Sequence, residues 1–414
     1  MRVLLIGSGG REHALAWKLA ASPLLTTLWA APGNPGIAQH AECVPIEATD
    51  IPRLVAFARE HRVDLVVPGP EAPLVMGLAD AMAEAGIACC GPTAAAAQIE
   101  GSKAFAKEVC EAAGVPTARW ERFESAAEAH HFVRRRGAPV VVKADGLAAG
   151  KGVVVAETVE EAEAAVDALL VPGGALVVEE FMAGEEASVF ALCDGRDAVF
   201  LGAARDHKRV GDGDEGPNTG GMGAVSPVPG FHDPHAAEHV MAGIIRPVLA
   251  EMGRRGAPFR GVLFAGLMLT QEGVKVVEFN ARLGDPECQA LLPRLRSDLL
   301  PALVAACEGE LRDFAFQWRP EASCAVVMAA RGYPGEPVRG GAISNLGAAE
   351  RVPGALVFQA GTREAGGALL ADGGRVLTLV GTGPDAAAAR ASAYGAVAAV
   401  EWADGFCRRD IGLG

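Results

Sequence analysis

Three residues past the middle of the chain set out a chemistry. In VVEFNARLGDPE (residues 276–287), Glu278, Asn280 and Arg282 stand two apart. Side chains alternate across a strand, so Glu278 and Asn280 share one face and Arg282 continues that direction. Val277 and Phe279 point the other way, into apolar packing. A carboxylate beside an amide oxygen makes a pair of hard ligands suited to Mg²⁺. An arginine next to them suits a phosphate or a carboxylate. The competing reading is a buried structural triad. The polar turn Gly284-Asp285-Pro286-Glu287 immediately after it weighs against that.

A second stretch, ADGLAAGKGVV (residues 144–154), looks at first like a phosphate-binding P-loop. A P-loop needs four residues between its first glycine and Gly-Lys, then Ser or Thr, then a helix. Here Gly146 and Gly150 are separated by Leu147, Ala148 and Ala149. Gly152 follows Lys151, and the strand-like VVVA comes next. No hydroxyl is placed to meet a magnesium ion. The segment reads instead as a loop between two strands, of the kind that folds over phosphates and excludes water. Lys143 on the preceding strand and Lys151 within the loop weigh against a hairpin with no ligand.

The N-terminal GSGGRE (residues 7–12) fails the dinucleotide fingerprint, because Glu12 stands where the third glycine belongs. No acid follows the second strand at the required distance, so a nicotinamide enzyme is not expected. What remains is a turn through Gly9 and Gly10 at a helix N-terminus, with Arg11 beside it. Exposed N–H groups and a guanidinium favour a phosphate, and a sugar phosphate fits. Glu12 would take a hydroxyl or an amine, unless it is an ordinary first-turn acid offsetting the helix dipole. Two further segments carry polar groups in unusual density. DHKRVGDGDEGPNTGGMG (residues 206–223) is too long and too polar for a simple linker. VVEEFM (residues 177–182), followed by Glu185 and Glu186, suits a linker whose backbone reads an adenine edge, with an acid for ribose hydroxyls.

These residues need elements to hold them. Residues 1–100 alternate short apolar runs (3–6, 28–31, 65–67, 87–89) with helical spacings (11–21, 51–60, 79–85), which predicts a parallel sheet with helices on both faces. Gly/Pro-rich turns follow three of the runs, at 7–12, 32–36 and 68–73. The carboxyl ends of strands line the crevice of such a sheet, so the three turns are expected to form one site. Residues 101–120 open with GSK and end at Gly114-Val115-Pro116. Residues 121–186 form a small alternating unit. Residues 187–320 hold the long polar loop, a helix near 235–253 and strands at 261–269 and 274–280. Residues 321–414 read as a compact α+β unit with a helix over 385–400.

Size and composition bound the rest. The chain has 414 residues, more than one core usually holds, so several domains are expected. Lys plus Arg is 37 and Asp plus Glu is 51, a net charge of −14. That balance, with no basic block, argues against nucleic acid and against an anionic membrane surface. No apolar run reaches the length of a membrane span. MRVLLIGSGG reads as a buried strand and not as a signal peptide. The nine cysteines are scattered without a Cys-x-x-Cys spacing, as expected of buried thiols in a reducing cytoplasm.

Taken together the motifs resemble the ATP-grasp superfamily, and within it the phosphoribosylamine–glycine ligases. The resemblance rests on GSGGREHALAW at 7–17, APGNPG at 31–36, GPEAPL at 69–74, EGSKAF at 100–105 and KADGLAAGKGV at 143–153. It continues through EEF at 179–181, DHKRVGDGDEGPNTGGMGA at 206–224, EFNARLGDPE at 278–287 and DIG at 410–412. It runs from end to end in order. The resemblance implies an α/β fold: an N-terminal open parallel sheet domain (1–100), an ATP-grasp core (101–120 with 187–320), a small ATP-grasp lid (121–186) and a C-terminal α+β domain (321–414). It implies joining of phosphoribosylamine to glycine with ATP through a glycyl phosphate. The nucleophiles are then the substrates, which accounts for a sequence without a nucleophile–base triad.

Residue roles follow from the same resemblance. Lys103 and Lys143 would meet the ATP phosphates, beneath the loop of Gly146, Gly150, Lys151 and Gly152. Glu179, Glu180 and Phe181 would bind adenine, with the backbone at Glu180–Phe181 reading its edge, and Glu186 would bind ribose. Glu278 and Asn280 would hold Mg²⁺, with Mn²⁺ as a substitute, and Arg282 would steady the transferring group. Gly9, Gly10, Arg11 and Glu12 would hold phosphoribosylamine. Asp212, Asp214 and Asn218, Thr219, Gly220 and Gly221 would shape the glycine pocket. Many ATP-grasp relatives carry a second metal carboxylate about a dozen residues upstream. Here that neighbourhood is Ala265-Gly266-Leu267, which leaves Asp285 or Glu287 as substitutes. Leu283 and Cys288 replace the Phe and Thr common in the family, as packing changes. The rivals are a carboxylase or formate-using ligase of the same superfamily, a dehydrogenase, and a non-catalytic nucleotide-binding module. A monomer in the cytoplasm is expected.

Overall fold

The computed structural model describes residues 1–147, 152–228, 231 and 234–413. The N-terminal third begins with a parallel five-stranded sheet: β1 (Arg2–Gly7), β2 (Thr27–Pro32), β3 (Glu42–Cys43), β4 (Leu65–Pro68) and β5 (Ala88–Cys89). Its spatial order is β3-β2-β1-β4-β5, with β1 central. Both faces are covered, which explains why these strands are unbroken apolar runs. Leu4 and Ile6 pack on one side with Trp29, Leu54 and Met82, while Val3 and Leu5 pack on the other with Leu15 and Leu19.

A four-stranded antiparallel sheet follows: β6 (Trp120–Phe123), β7 (Val140–Ala144), β8 (Val153–Ala156) and β9 (Leu176–Glu180), in the order β6-β9-β7-β8. Helices Ala126–Arg136 and Val159–Leu169 pack together on it, with Ser125 and Thr158 capping their N-termini.

The largest sheet has nine strands. β10 (Glu185–Asp194), β11 (Ala198–Asp206), β14 (Gly223–Ser226), β15 (Arg260–Thr270) and β16 (Gly273–Asn280) make one half. β17 (Ala322–Ala330), β19 (Ala355–Gln359), β22 (Arg375–Gly383) and β23 (Gly405–Phe406) make the other. The path runs β16-β15-β10-β11-β14-β17-β22-β19, with β23 beside β17. The stretch expected as one long polar loop therefore carries structure. Arg209–Gly211 (β12) and Glu215–Asn218 (β13) pair as a hairpin, and β14 joins β11 to β17. Its glycines allow this, because Gly213, Gly216 and Gly221 all hold positive φ. The C-terminal residues have a core of their own around Val326, Leu377, Leu379 and Ala393, yet their strands extend the same sheet as β10 and β11. Ala342–Ile343 (β18), Thr362–Ala365 (β20) and Ala368–Ala371 (β21) form a small separate sheet.

Candidate active site

A cavity of about 500 Å³ opens between the four-stranded sheet and the β10–β15–β16 half of the large one; the N-terminal turns reach it through Arg11 and through Pro70 and Glu71, while the turn at 32–36 does not line it. Glu278 and Asn280 line it from β16; Val277 and Phe279, expected to point the other way, line it too, Val277 where the pairing with β15 slips by one residue. The facing strand explains the missing second carboxylate. Gly266 on β15 stands opposite Glu278, and a Cβ there would lie 3.3 Å from the Glu278 Cγ. Burial by itself would raise the Glu278 carboxyl. Lys208, Lys143, Lys103 and Arg282 outweigh it and hold the group below its ordinary range.

Arg282 follows the strand and is gripped on two sides. Its Nε donates to Glu71 at 3.2 Å and its Nη2 meets Glu100 at 2.9 Å. Glu100 also accepts the Ala281 N–H at 2.6 Å. Burial pushes the Glu100 carboxyl up against the pull of Arg282, whereas Arg282 and Arg11 hold Glu71 low despite its burial. The fork of the guanidinium is therefore fixed before any ligand arrives.

Cations line the opposite wall. Lys143 on β7 donates to Glu179 at 3.0 Å and to the Val277 carbonyl at 3.2 Å. Lys103 donates to the Gly146 carbonyl at 2.8 Å. Asp145 fixes this corner by accepting the Lys103 N–H at 2.7 Å and the Ser102 hydroxyl at 3.0 Å, so a loop of the small sheet caps the helix Lys103–Ala113. Gly146 and Gly152 line the cavity. Gly150 and Lys151 lie outside the described residues. Phe181 and Glu186 also face the cavity, the latter paired with Lys208. The Glu180 N–H is already given to the Arg119 carbonyl at 2.9 Å, and its carboxylate to Arg119 N–H and Arg136. The Glu180 N–H is thus taken within the protein, and Phe181 lies just beyond the end of the strand.

Two expected groups sit elsewhere. Glu12 is buried beneath Arg11, accepting the Gly9 N–H at 2.6 Å and the Arg11 Nε–H at 2.6 Å. Its carboxylate is satisfied within the protein, as a first-turn acid. That also occupies the Gly9 donor expected to meet phosphate, and Gly10 packs against Gln289. Of this group, Arg11 reaches the cavity. Asp212 is exposed and accepts the Arg409 N–H at 2.7 Å, away from the cavity, while exposed Asp214 pairs with Arg408 at 2.6 Å. Asn218, Thr219 and Gly220 do reach the cavity, and Gly221 lies just behind with its carbonyl toward Arg375. The turn at 32–36 is held by Asn34, which donates to the Ser8 and Gln359 carbonyls at 2.8 and 2.9 Å.

Several lining residues carried no assignment from sequence: Glu71, Glu100, Lys107, Asp206, Lys208 and Arg375. Glu71 and Glu100 stood inside the quoted motifs GPEAPL and EGSKAF, and Lys107 lies one turn beyond Lys103. Arg375 had no local signal. It arrives on β22 and meets Asp285 at 3.4 Å. Asp206 and Glu287 form an acidic corner, where burial and the neighbouring Glu287 push the Asp206 carboxyl well up.

The packing around Glu12 gives a direct test. A Cβ on Gly69 would lie 2.0 Å from the Glu12 Oε1, which the Gly9 and Arg11 bonds hold in place. Gly69→Ala is expected to cost about 1–3 kcal/mol, the range of an overpacked core. A thermal or urea melt equal to the parent's would show that Glu12 moves freely.

A cavity walled by Lys143 from a four-stranded sheet, by Lys103 and Lys107 from a helix, and by a carboxylate–amide pair from a facing antiparallel sheet defines an ATP-grasp enzyme. Three family models cover most of the chain: the phosphoribosylglycinamide synthetase N domain over 1–100, its ATP-grasp (A) domain over 101–288 and its C domain over 323–414. The chain belongs to the phosphoribosylglycinamide synthetase family, whose members are carbon–nitrogen ligases. It is 55% identical to a Mesorhizobium japonicum protein named phosphoribosylamine–glycine ligase, over all of this chain and 98% of that one. A crystal structure of phosphoribosylamine–glycine ligase from Thermotoga maritima superposes with a TM-score of 0.86 at 32% identity, covering 99% of this chain and all of that one. A biotin carboxylase domain from Hydrogenobacter thermophilus, crystallised with MgADP and bicarbonate, shares the fold alone: TM-score 0.74 at 18% identity, over 98% of this chain and 91% of that one.

The ATP-grasp fold uses ATP with a divalent metal, and the donor set here fits one. Glu278 and Asn280 supply two hard oxygens. Phosphate oxygens and water would complete the set, the usual arrangement for Mg²⁺. Among the described residues no helix is long and apolar enough to cross a membrane.

Proposed function

We propose that the chain joins 5-phosphoribosylamine to glycine at the expense of ATP, yielding glycinamide ribonucleotide, ADP and phosphate in de novo purine biosynthesis. The observation that carries this reading is the position of Glu278 among four cations on the cavity wall. Such a surround suits a polyphosphate brought together with an anionic second substrate.

The reaction runs in two displacements. A glycine carboxylate oxygen attacks the γ-phosphorus and ADP departs, leaving glycyl phosphate. The phosphoribosylamine nitrogen then attacks the carbonyl carbon, and phosphate leaves with the oxygen it took from glycine. Lys103 and Lys143 neutralise the phosphates. Phe181 and Glu186 hold the nucleoside. Arg282, braced by Glu71 and Glu100, steadies the transferring group through both steps. Arg11 faces phosphoribosylamine, and the Asn218–Gly221 turn shapes the glycine site. Mg²⁺, for which Mn²⁺ can substitute, when held by Glu278 and Asn280 supplies charge neutralisation at the phosphate oxygens.

We assign residues 1–100 to substrate binding, 101–120 with 187–320 to the ATP-grasp core, 121–186 to the lid and 321–414 to a C-terminal domain. We assign the protein as a monomer, and the nine free cysteines support a reducing cytoplasmic setting.

The test is isotopic. With ATP, Mg²⁺, fresh phosphoribosylamine and glycine labelled with ¹⁸O in its carboxylate, one ¹⁸O is expected in each released phosphate. Product without label in phosphate would remove the acyl phosphate from the scheme. ADP release that ignores glycine would remove glycine as the substrate.

A further inference from the structure

Lys107 is buried to the same depth as Lys143, with a side chain 5% exposed against 4%, and it has no role in the scheme above. Both ammonium groups meet one oxygen. Glu179 Oε2 lies 3.0 Å from Lys107 Nζ and 3.0 Å from Lys143 Nζ. The other oxygen of Glu179, Oε1, is buried and has no hydrogen-bond partner among the described residues. One carboxylate is thus shared by two lysines, which leaves one net positive charge on this wall.

The group is bolted to the strand that carries the metal-binding pair. Lys107 Nζ donates to the Thr117 hydroxyl at 2.7 Å, and that hydroxyl donates to the Val276 carbonyl at 2.7 Å. Lys143 donates to the next carbonyl, Val277. The two lysines therefore reach adjacent carbonyls of β16, just before Glu278, from different directions: Lys107 from the helix Lys103–Ala113, Lys143 from β7. Glu179 on β9 ties them together. Burial pushes the Lys107 ammonium down, and Glu179 pulls it back. A methionine would fill the volume of Lys107. The sharing of one oxygen, and the anchoring through Thr117, are what a charge adds.

We propose that Lys107 is a positioning residue for nucleotide binding: acting through Glu179, it fixes the Lys143 ammonium on the cavity wall and keeps a net positive charge there for the incoming polyphosphate. With Lys107 removed, Glu179 neutralises Lys143 alone and draws it from the phosphates. The inference rests on the ATP-dependent reading of the site.

The test uses the full chain and MgADP as probe, by isothermal titration, beside the KM values for ATP and glycine. Lys107→Met is expected to weaken MgADP binding and raise the KM for ATP about tenfold, within the range of couplings between residues of one salt-bridge network. The KM for glycine should move less than about twofold. Lys107→Arg should recover to within about threefold, since it restores the charge. In a Glu179→Gln background, adding Lys107→Met should cost less than about twofold, because the two act as one unit. A melting curve for each variant reports folding separately. MgADP binding by Lys107→Met within twofold of the parent would overturn the inference. So would a full tenfold loss from Lys107→Met in the Glu179→Gln background, and so would equal weakening toward ATP and glycine. A parent protein that binds no MgADP would overturn the ATP-dependent reading itself, and this inference with it.

Discussion

Glu278→Ala is expected to lower kcat by about a thousandfold, the loss seen when a preorganised electrostatic partner of the transition state is removed. The substitution deletes the charged oxygen donor facing the phosphates. It also leaves Lys208, Lys143, Lys103 and Arg282 around a common point with their shared counter-ion gone. These cations would then repel one another, and the phosphates would take over their neutralisation. Nucleotide affinity should therefore fall far less than kcat. Glu278→Gln separates the two effects, because it keeps the volume and one oxygen while removing the charge. The measurement is kcat across a Mg²⁺ titration for both variants. Turnover near that of the parent at any Mg²⁺ concentration would show that the metal is held elsewhere in the cavity.

The second large effect belongs to Arg282. Arg282→Ala is expected to lower kcat by about a hundredfold or more, and to cost about 3–5 kcal/mol of stability, the range for breaking a buried pair from one side. Glu71 and Glu100 would lose the cation that both of them face. The pH dependence follows from the same pair. Arg282 lowers Glu71, so its contribution to stability is present above the ordinary carboxylate range and fades as pH falls through the depressed value. Glu100 is already raised, so the folded state binds its proton more tightly, and stability declines as pH rises through the raised value. Losing Arg282 moves both carboxyls upward. The gap between parent and variant should thus be widest near neutrality and narrow toward pH 5. Chemical denaturation at several pH values measures it, and a gap that widens on acidification would contradict the assignment of these partners.

How much of this was legible in the sequence depended on how local each feature is. The parallel sheet was plain because strands buried on both faces are apolar at every position, as in Val3–Leu4–Leu5–Ile6. Glu278 and Asn280 were found because the period of a strand places them together with no knowledge of the rest of the chain. The brace on Arg282 was not legible, because the residue accepting the Ala281 N–H is 181 positions away at Glu100. Arg375 is hidden for the same reason. The glycine-rich stretch at 206–223 misled in a different way. Its composition announced an unusual backbone and gave no sign of how the hairpin would fold. Asp212 and Asp214 at the hairpin's tip consequently face the segment 408–410, while Asp206 and Lys208 before it and Asn218–Gly220 at its far end face the cavity. Glu12 shows that a polar residue at a ligand-like position can instead be consumed by its own helix terminus.

The bond between the hairpin and residues 408–410 also bears on how the protein is made. Arg408 donates to Asp214, to the Arg209 carbonyl and through two nitrogens to Asp410, while Tyr333 and Arg375 hold Gly220. A nascent chain emerging from the ribosome has β14 long before β17, and the hairpin almost two hundred residues before Arg408. Until β17 emerges β14 is a bare edge, and until Arg408 emerges the hairpin lacks its partner. The early sheet can form as it emerges. The active cavity waits for Arg375 on β22, so a chain released before that point is not a shorter enzyme but an unfinished sheet with an exposed strand.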